Sequence, residues 1–283
     1  MAVFYHKTFI LKIHATIYPM KSIDIDHLKK VQYKNLDGLN KRWKTYEYLN
    51  PHFDIYGDAI KKLEMKGNES ILEVGCGSGQ ILSKIANKGH SGKIVGLDIH
   101  EQIFSESHPN IQFIVGSADS LPYPDESFDV VMAFFMIYHL PDPLAAVKEW
   151  MRVLKKGGRL VVTAATIKNK SRAKALKAKT AQSLGKQVHP LTANCTFEKA
   201  TPLIAAFDPH AYIHVYKSEL HIPDAKIVLD SIESVRDTFH PDCTDAEWIK
   251  AMDAMEKEIN AEIKERGFFL DQVERGVAIA TKN

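Results

Sequence analysis

The 283-residue chain is poor in cysteine, with only Cys76, Cys195 and Cys243. An odd, scattered set excludes a disulfide framework and points to a reducing compartment, so the cytoplasm is the expected location. Long apolar runs are missing too. The longest, Val130 to Tyr138, stops at His139, well short of the ~20 residues a membrane helix needs, and no membrane span is expected. Neither sign of charge dominates: a net charge of +2 with 25% charged residues lacks the basic excess of a dedicated nucleic-acid binder. The opening stretch, "MAVFYHKTFILKIHATIYP", has no acid, but Lys7 and Lys12 interrupt its apolar residues, which excludes the continuous apolar core of a secretory signal. A regular pattern starts only at Met20, so residues 1–19 read as an extension. No internal repeat and no low-complexity linker are present.

With 45% hydrophobic residues the chain can bury a full core, either as one large α/β domain or as a domain with a cap. Residues 20–66 form a helical lead-in, in which Leu39, Trp43, Tyr46 and Leu49 recur at helical spacing. From residue 67 to 283 the pattern is that of the main domain. Between Ile71 and Ala165 the segments "SILEV", "KIVGLDI", "IQFIV", "FDVVMAFF" and "GRLVVTAA" read as short, wholly buried strands alternating with helices, which predicts a doubly wound, mostly parallel sheet. One intervening helix is sharply punctuated: Asp142 as N-cap, Pro143 at its first position, Leu144, Val147, Met151 and Leu154 on one face, Gly157 and Gly158 at its end.

The last third adds two edge strands, "AYIHVYKSEL" and "GVAIATK", with two amphipathic helices between them at about residues 224–266. Ala225, Val228, Leu229, Ile232 and Val235 stripe the first. In the second, Thr244 and Glu247 form a capping box ahead of Trp248, Met252, Met255, Ile259 and Ile263, and Gly267 is the stop. Two readings stand: these helices thicken the core, or they form a lid over one end of the sheet.

The chemistry concentrates in "ILEVGCGSGQ". Gly75, Gly77 and Gly79 follow the first buried strand, where an open α/β sheet binds ligands, and glycines there let a ligand approach the backbone. In "VGLDI", Asp98 ends the second strand, where a carboxylate can hold both hydroxyls of a ribose. An NAD site has the same ingredients, but two details separate the cases. The dinucleotide fingerprint needs a glycine where Gln80 stands. Glu73, two residues before the first glycine, is an awkward neighbour for pyrophosphate and a good one for a ligand with ammonium and sulfonium charge.

The stretches "LEVGCGSGQ", "GLDI", "GSADSLPYPDESFDVVMAFFMIYHLPD" and "VLKKGGRLVVTA" occur in order over roughly Ser70 to Ala165. In them the chain resembles the class I S-adenosylmethionine-dependent methyltransferases, particularly the small-molecule subgroup that includes the ubiquinone and menaquinone biosynthesis enzymes. The resemblance implies a Rossmann-like sheet of seven strands with the last antiparallel, S-adenosyl-L-methionine as cofactor and a small organic acceptor (EC 2.1.1). It implies that Glu73 and the loop Gly75, Cys76, Gly77 and Gly79 surround the methionine part of the cofactor. Asp98 would hold the ribose, Ile99 pack on adenine, Ala118 and its neighbours meet the adenine edge, and Ala133 or Phe134 lie near the sulfonium. The family often has glycine-aspartate-alanine where this chain has Gly116-Ser117-Ala118, which leaves Ser117 or the adjacent Asp119 to contact the adenine amino group.

For catalysis His139 is the candidate base, since it follows the fourth strand at the same edge as the glycine loop; lining the pocket is the other reading. Phe135 and Tyr138 are candidates for the same wall, and Tyr33 and Arg42 for closure of the site from the lead-in. His210 and His214 have the i, i+4 separation of a helical metal pair, but their segment reads as a strand, and no metal is expected. "IKNKSRAKALKAKT" is acid-free, and a helix there aligns Lys170, Lys174 and Lys177. This is either a solvated face opposite Ala173, Leu176 and Leu184 or a phosphate-docking stripe, the feature on which an RNA methyltransferase would depend.

Overall fold

Strands covered on both faces need no polar alternation, and here helices cover both. The computed structural model describes residues 36–100, 109–186, 195–236 and 243–283. Its strands are β1 (Leu49–Asn50), β2 (Ile71–Val74), β3 (Ile94–Asp98), β4 (Ile111–Val115), β5 (Phe128–Phe134), β6 (Leu154–Ala165), β7 (Tyr212–Ile222) and β8 (Phe269–Thr281). They form one eight-stranded sheet in the order β1-β7-β8-β6-β5-β2-β3-β4. The neighbours from β4 to β6 pair in parallel, β8 runs antiparallel to β6 and β7, and β1 antiparallel to β7. Strand order reverses at β2, which has β3 on one side and β5 on the other, so the crevice at the carboxyl end of β2 is the natural ligand site.

The α-helices are α1 (Leu36–Lys44), α2 (Ile55–Lys62), α3 (Gln80–Ala86), α4 (Pro143–Val153), α5 (Ser171–Ser183), α6 (Phe197–Ala205), α7 (Ala225–Glu233) and α8 (Asp245–Arg266). On one face of the sheet Leu72, Val131 and Val162 pack with Trp150 of α4 and Leu203 of α6. On the other, Ile71, Met132 and Val277 pack with Ala59 of α2 and Leu82 of α3. The helix signals work as expected. Asp142 accepts a bond from the Ala145 amide with Pro143 next to it, and Thr244 and Glu247 close a full capping box that opens α8, which Gly267 ends at φ 91°.

Three expectations change in detail. The lead-in contains a strand as well as helices, because Leu49 and Asn50 pair with Leu220 and Glu219, making the sheet eight-stranded where seven were expected. The final strand is interior, not an edge, for β8 lies between β6 and β7. Leu154, read as the last residue of α4's apolar face, is instead extended at ψ 138° and starts β6, where it pairs with Phe128.

The lengths of β7 and β8 have a consequence for the site. They pair along their whole length, but β6 reaches β8 only from Arg275 to Thr281. The half of the hairpin formed by 217–222 and 269–274 therefore overhangs the carboxyl end of β6. Leu220, Ile222, Phe269 and Val273 on this overhang are buried beneath Leu176 of α5, Val228 and Ile232 of α7, and Trp248 and Met255 of α8. Helices α5, α7 and α8 thus gather beside the edge that carries the glycine loop.

Candidate functional site

The loop between β2 and α3 depends on its glycines. Gly75, Gly77 and Gly79 have φ of 65°, 55° and 83°, a region that side-chain-bearing residues avoid. A Cβ on Gly75 would stand 2.8 Å from the Met136 Cβ, whereas one on Gly77 would meet nothing within 4 Å and would fill the cradle itself. The Cys76 thiol is buried inward, where burial, then Glu73 and Asp98, hold it protonated.

Two carboxyl groups face this loop. Asp98 accepts bonds from the Gly77 amide at 2.9 Å and the His100 amide at 3.1 Å, which fixes the end of β3 against the loop while leaving oxygen lone pairs for hydroxyl donors. Burial raises the Asp98 pKa against these amides. Glu73 is 2% exposed, and its Oε2 has no hydrogen-bond partner among the described residues. Burial, and then the Asp98 charge, push the Glu73 pKa well up. A buried acid without a partner costs ~1–3 kcal/mol, which a cationic ligand would offset. Open space beside Gly77, an orphaned carboxyl oxygen and a partly accessible Asp98 together fit a cationic nucleoside donor.

The other candidates at the carboxyl edge are held by the core. The Ser117 hydroxyl donates to Asp119 Oδ1 at 2.5 Å, so the two side chains share one position. Buried Trp150 of α4 donates its indole N–H to the Ala118 carbonyl at 2.7 Å, and Glu149 accepts from the Leu121 amide at 2.9 Å. Helix α4 therefore pins the segment after β4, a role not foreseen for either residue. Ile99 is half-buried beyond Asp98, while Ala133 and Phe134 are buried at the end of β5.

Phe135 follows with φ 50°, a strained value for a bulky residue, held by bonds from its amide to the Thr163 carbonyl and hydroxyl. It belongs to an aromatic wall. Tyr56 of α2 lies edge-on to Phe134 and Phe135 at 5.4 and 5.7 Å, and the Arg275 guanidinium lies 4.6 Å from the Phe135 ring and 3.5 Å from that of Tyr46. His139 sits in the short 3-10 turn after β5 with its ring 4.4 Å from Tyr138. Burial, aided by the Arg42 charge, lowers its pKa to about 4, so the imidazole is neutral near pH 7. Arg42 of α1 donates to the Ser234 carbonyl and hydroxyl, tying the lead-in to the end of α7. Tyr33 lies outside the described residues.

The basic helix does not present its expected face to solvent. Lys177 is 9% exposed, and Lys170 turns inward to donate to the Thr45 hydroxyl at 2.8 Å with its ammonium 4.4 Å from the Tyr46 ring. Inward-facing residues of α5 include Leu176 and Ala181, and Lys177 follows Leu176 onto that side, so only Lys174 of the three is exposed. The stripe on which RNA docking depended is absent among these residues. His214 is on β7 and His210 precedes it. Among the described residues no group of three or more His, Cys, Asp or Glu side chains is placed to hold a metal ion, and no helix is long and apolar enough to cross a membrane.

A glycine loop at the switch point, facing an unpartnered acid and a strand-end aspartate, invites comparison with known proteins. Residues 72–162 match the family described as a methyltransferase domain. The segment runs from β2 to β6 and holds nearly every residue placed around the crevice. A demethylmenaquinone methyltransferase of Staphylococcus saprophyticus is 30% identical over 136 residues, 46% of this chain and 58% of that protein. The ubiquinone/menaquinone biosynthesis C-methyltransferase UbiE of Hahella chejuensis is 31% identical over 135 residues, 44% of this chain and 49% of that protein. The chain thus spans about half the length of these curated relatives. Among solved structures, phosphoethanolamine N-methyltransferase 2 of Haemonchus contortus, in complex with phosphomonomethylethanolamine and S-adenosylhomocysteine, has a TM-score of 0.55 at 16% identity, over 94% of this chain and 61% of that one. At that identity the likeness is one of fold. The resemblance read from the motifs is borne out: the central segment is similar to class I S-adenosylmethionine-dependent methyltransferases of the UbiE kind.

Tyr46, Tyr56, Lys170 and Arg275 had not been placed at the site by sequence. Tyr46 reads as one apolar position in a helical stripe, and Arg275 precedes the recognised strand "GVAIATK". They meet around Arg275, where the pairing of β8 with β6 ends.

Proposed function

We propose that the protein is an S-adenosylmethionine-dependent methyltransferase acting on a small organic acceptor. The observation that carries this reading is Glu73: a buried, unpartnered carboxyl facing three positive-φ glycines and Asp98. When bound, the cofactor supplies a methyl group on a sulfonium, a leaving group that needs no protonation. Glu73 and the loop amides of 75–79 hold its amino-acid portion, Asp98 its ribose hydroxyls, Ile99 a face of the adenine, and Ala118 with Ser117 or Asp119 the adenine edge. Ala133 and Phe134 close the wall behind the reacting carbon.

The protein's main contribution is alignment of acceptor and methyl carbon, which can supply ~7–11 kcal/mol. His139, neutral because it is buried, acts as a hydrogen-bond partner that orients the acceptor and as a weak base where the acceptor must lose a proton. Phe135 and Tyr138 line the acceptor side. Arg42 fixes α1 against α7, and α7 with α8 forms the lid, so the described parts of residues 20–66 and 224–266 work as a cap on the methyltransferase domain. The three described cysteines are free and buried, in keeping with a cytoplasmic enzyme. Incubation with methyl-labelled cofactor and separated metabolite, RNA and protein fractions tests the proposal: the label should enter the metabolite fraction, and transfer to RNA alone would refute the small acceptor.

A further inference from the structure

Beside the cofactor seat lies a cationic cluster that methyl transfer itself does not require. Arg275 closes the pairing of β8 with β6, opposite Ala165, and so stands at the carboxyl edge of the parallel strands. Its guanidinium covers Tyr46 on one side and touches the Phe135 ring on the other. Lys170 reaches the same Tyr46 ring from the start of α5. Neither Lys170 nor Arg275 has a salt bridge among the described residues, and the buried Arg275 Nε has no hydrogen-bond partner among them. The neighbouring carboxylate, Asp271, is 1% exposed and accepts from the amides of Arg172, Ala173 and Gln272 at 2.9, 3.0 and 2.8 Å, which commits it to the start of α5.

Resting on the methyltransferase reading, we propose that the acceptor carries an anionic group, a carboxylate or a phosphate, bound by Lys170 and Arg275 against the Tyr46–Phe135 wall. Tyr56 connects this subsite to the cofactor seat, since it touches Phe135 and the Phe134 ring behind the sulfonium position. Cations this close together and half-buried repel one another, and a bound anion relieves the repulsion. The neighbourhood registers the excess of positive charge: burial, then Lys170 and Lys174, bring the Lys177 pKa down to about 7. An arginine stacked on an aromatic ring also has its fork fixed in advance for a planar or tetrahedral oxyanion.

Calorimetry on the 283-residue protein tests this with phenyl phosphate, benzoate and uncharged benzyl alcohol as probes, each with and without saturating S-adenosylhomocysteine. One of the two anions should bind at least tenfold more tightly than benzyl alcohol, and which one identifies the charged group. Lys170→Met and Arg275→Met should each weaken that anion about tenfold and Lys170→Arg much less, with the affinity for S-adenosylhomocysteine unchanged within about twofold. Equal binding of benzyl alcohol and both anions, or undiminished anion binding by both folded methionine variants, would overturn the proposal. Should those variants not fold, the wild-type comparison of anion with alcohol decides. Failure of S-adenosylhomocysteine to bind the wild type would refute the methyltransferase reading separately, and the titrations without it would still report on the anion subsite.

Discussion

Replacing Glu73 by Gln keeps the side chain's shape and removes its charge, and the two consequences have opposite signs. Glu73 is 2% exposed, with Oε2 unpartnered among the described residues and its pKa raised by burial and then by Asp98. An acid whose pKa is raised by folding stabilises the fold fully below its unfolded value, near 4.3, and that contribution is lost as pH rises toward the folded pKa. Near neutral pH the wild-type carboxyl is therefore a burden, and Glu73→Gln, which leaves a polar group there but no charge to bury, should stabilise the ligand-free protein by more than about 1 kcal/mol, since an acid's pKa raised by one pH unit corresponds to about 1.4 kcal/mol. At pH 4 both side chains are neutral and the gain should vanish. Cofactor binding should move the other way. A charge-assisted hydrogen bond contributes ~1.5–3 kcal/mol, so affinity for S-adenosylhomocysteine should fall about 10- to 100-fold. Wild-type affinity should also weaken as pH drops, because a protonated Glu73 must lose its proton to meet an ammonium group, and the Gln variant should lack that slope. Urea denaturation at pH 4 and 7.5, with calorimetry at pH 6 and 7.5, measures all of these. A variant that is less stable at pH 7.5 yet binds S-adenosylhomocysteine normally would show that Glu73 serves the fold and not the ligand.

Other perturbations separate binding from folding. Asp98→Ala should leave a folded protein that binds S-adenosylhomocysteine at least about tenfold more weakly, since it loses both the ribose contact and the bond to the Gly77 amide; unchanged calorimetric affinity would remove the ribose role. Asp129→Asn, at the opposite edge of the sheet, should cost about 1 kcal/mol after allowing for solvent screening, and leave cofactor affinity unchanged. Burial raises the Asp129 pKa, but Ser70 and Lys155 outweigh it and hold it at about 2, so its contribution is present above pH ~4 and is lost as pH falls through about 2, as an acid titration of stability would show. Gly276→Ala should destabilise by ~1–3 kcal/mol in chemical denaturation, because its Cβ would come within 2.1 Å of the buried Phe197 ring. Burial pushes the Tyr46 phenol up, but Arg275, Lys170 and a bond with Asn169 bring it down to about 8; anion binding should therefore decline above pH 8, as the phenolate competes for the same cations, and Tyr46→Phe should abolish the decline in pH-dependent titrations.

The glycine-loop half of the proposed site was legible in the sequence because its constraints are local. A glycine that must adopt positive φ, an acid at a strand end and an aspartate ahead of a proline leave residue-type signatures at fixed spacing, and Gly75, Asp98 and Asp142 occur as those signatures require. The proposed acceptor half was not legible, because its residues meet only through pairing far apart in the chain. Arg275 reaches Tyr46 because the register of β8 sets it opposite Ala165, the last residue of β6, and register is something no short motif encodes. Helical periodicity marked Lys170 and Lys177 as one stripe, yet periodicity cannot say which side of a helix the rest of the protein covers. Leu176 and Ala181 decide that for α5 by burying the side that Lys177 shares.

The two halves also differ in how they meet their electrostatic costs. On the proposed cofactor side the uncompensated charge is negative, Glu73 beside Asp98; on the proposed acceptor side it is positive, Lys170 and Arg275, and neutral Tyr56, Phe134 and Phe135 stand between. Tyr56 keeps its proton at neutral pH, since burial carries its pKa to about 12 against the pull of Arg275, so the partition carries no charge of its own. Were the acids and the cations in direct contact they would neutralise one another, and neither would retain affinity for a ligand. Kept apart by aromatic rings, they favour a cationic donor on one side and an anionic acceptor on the other. On the proposed reading, that polarity draws the two reactants to opposite faces of the same wall and opposes binding of either in the other's place.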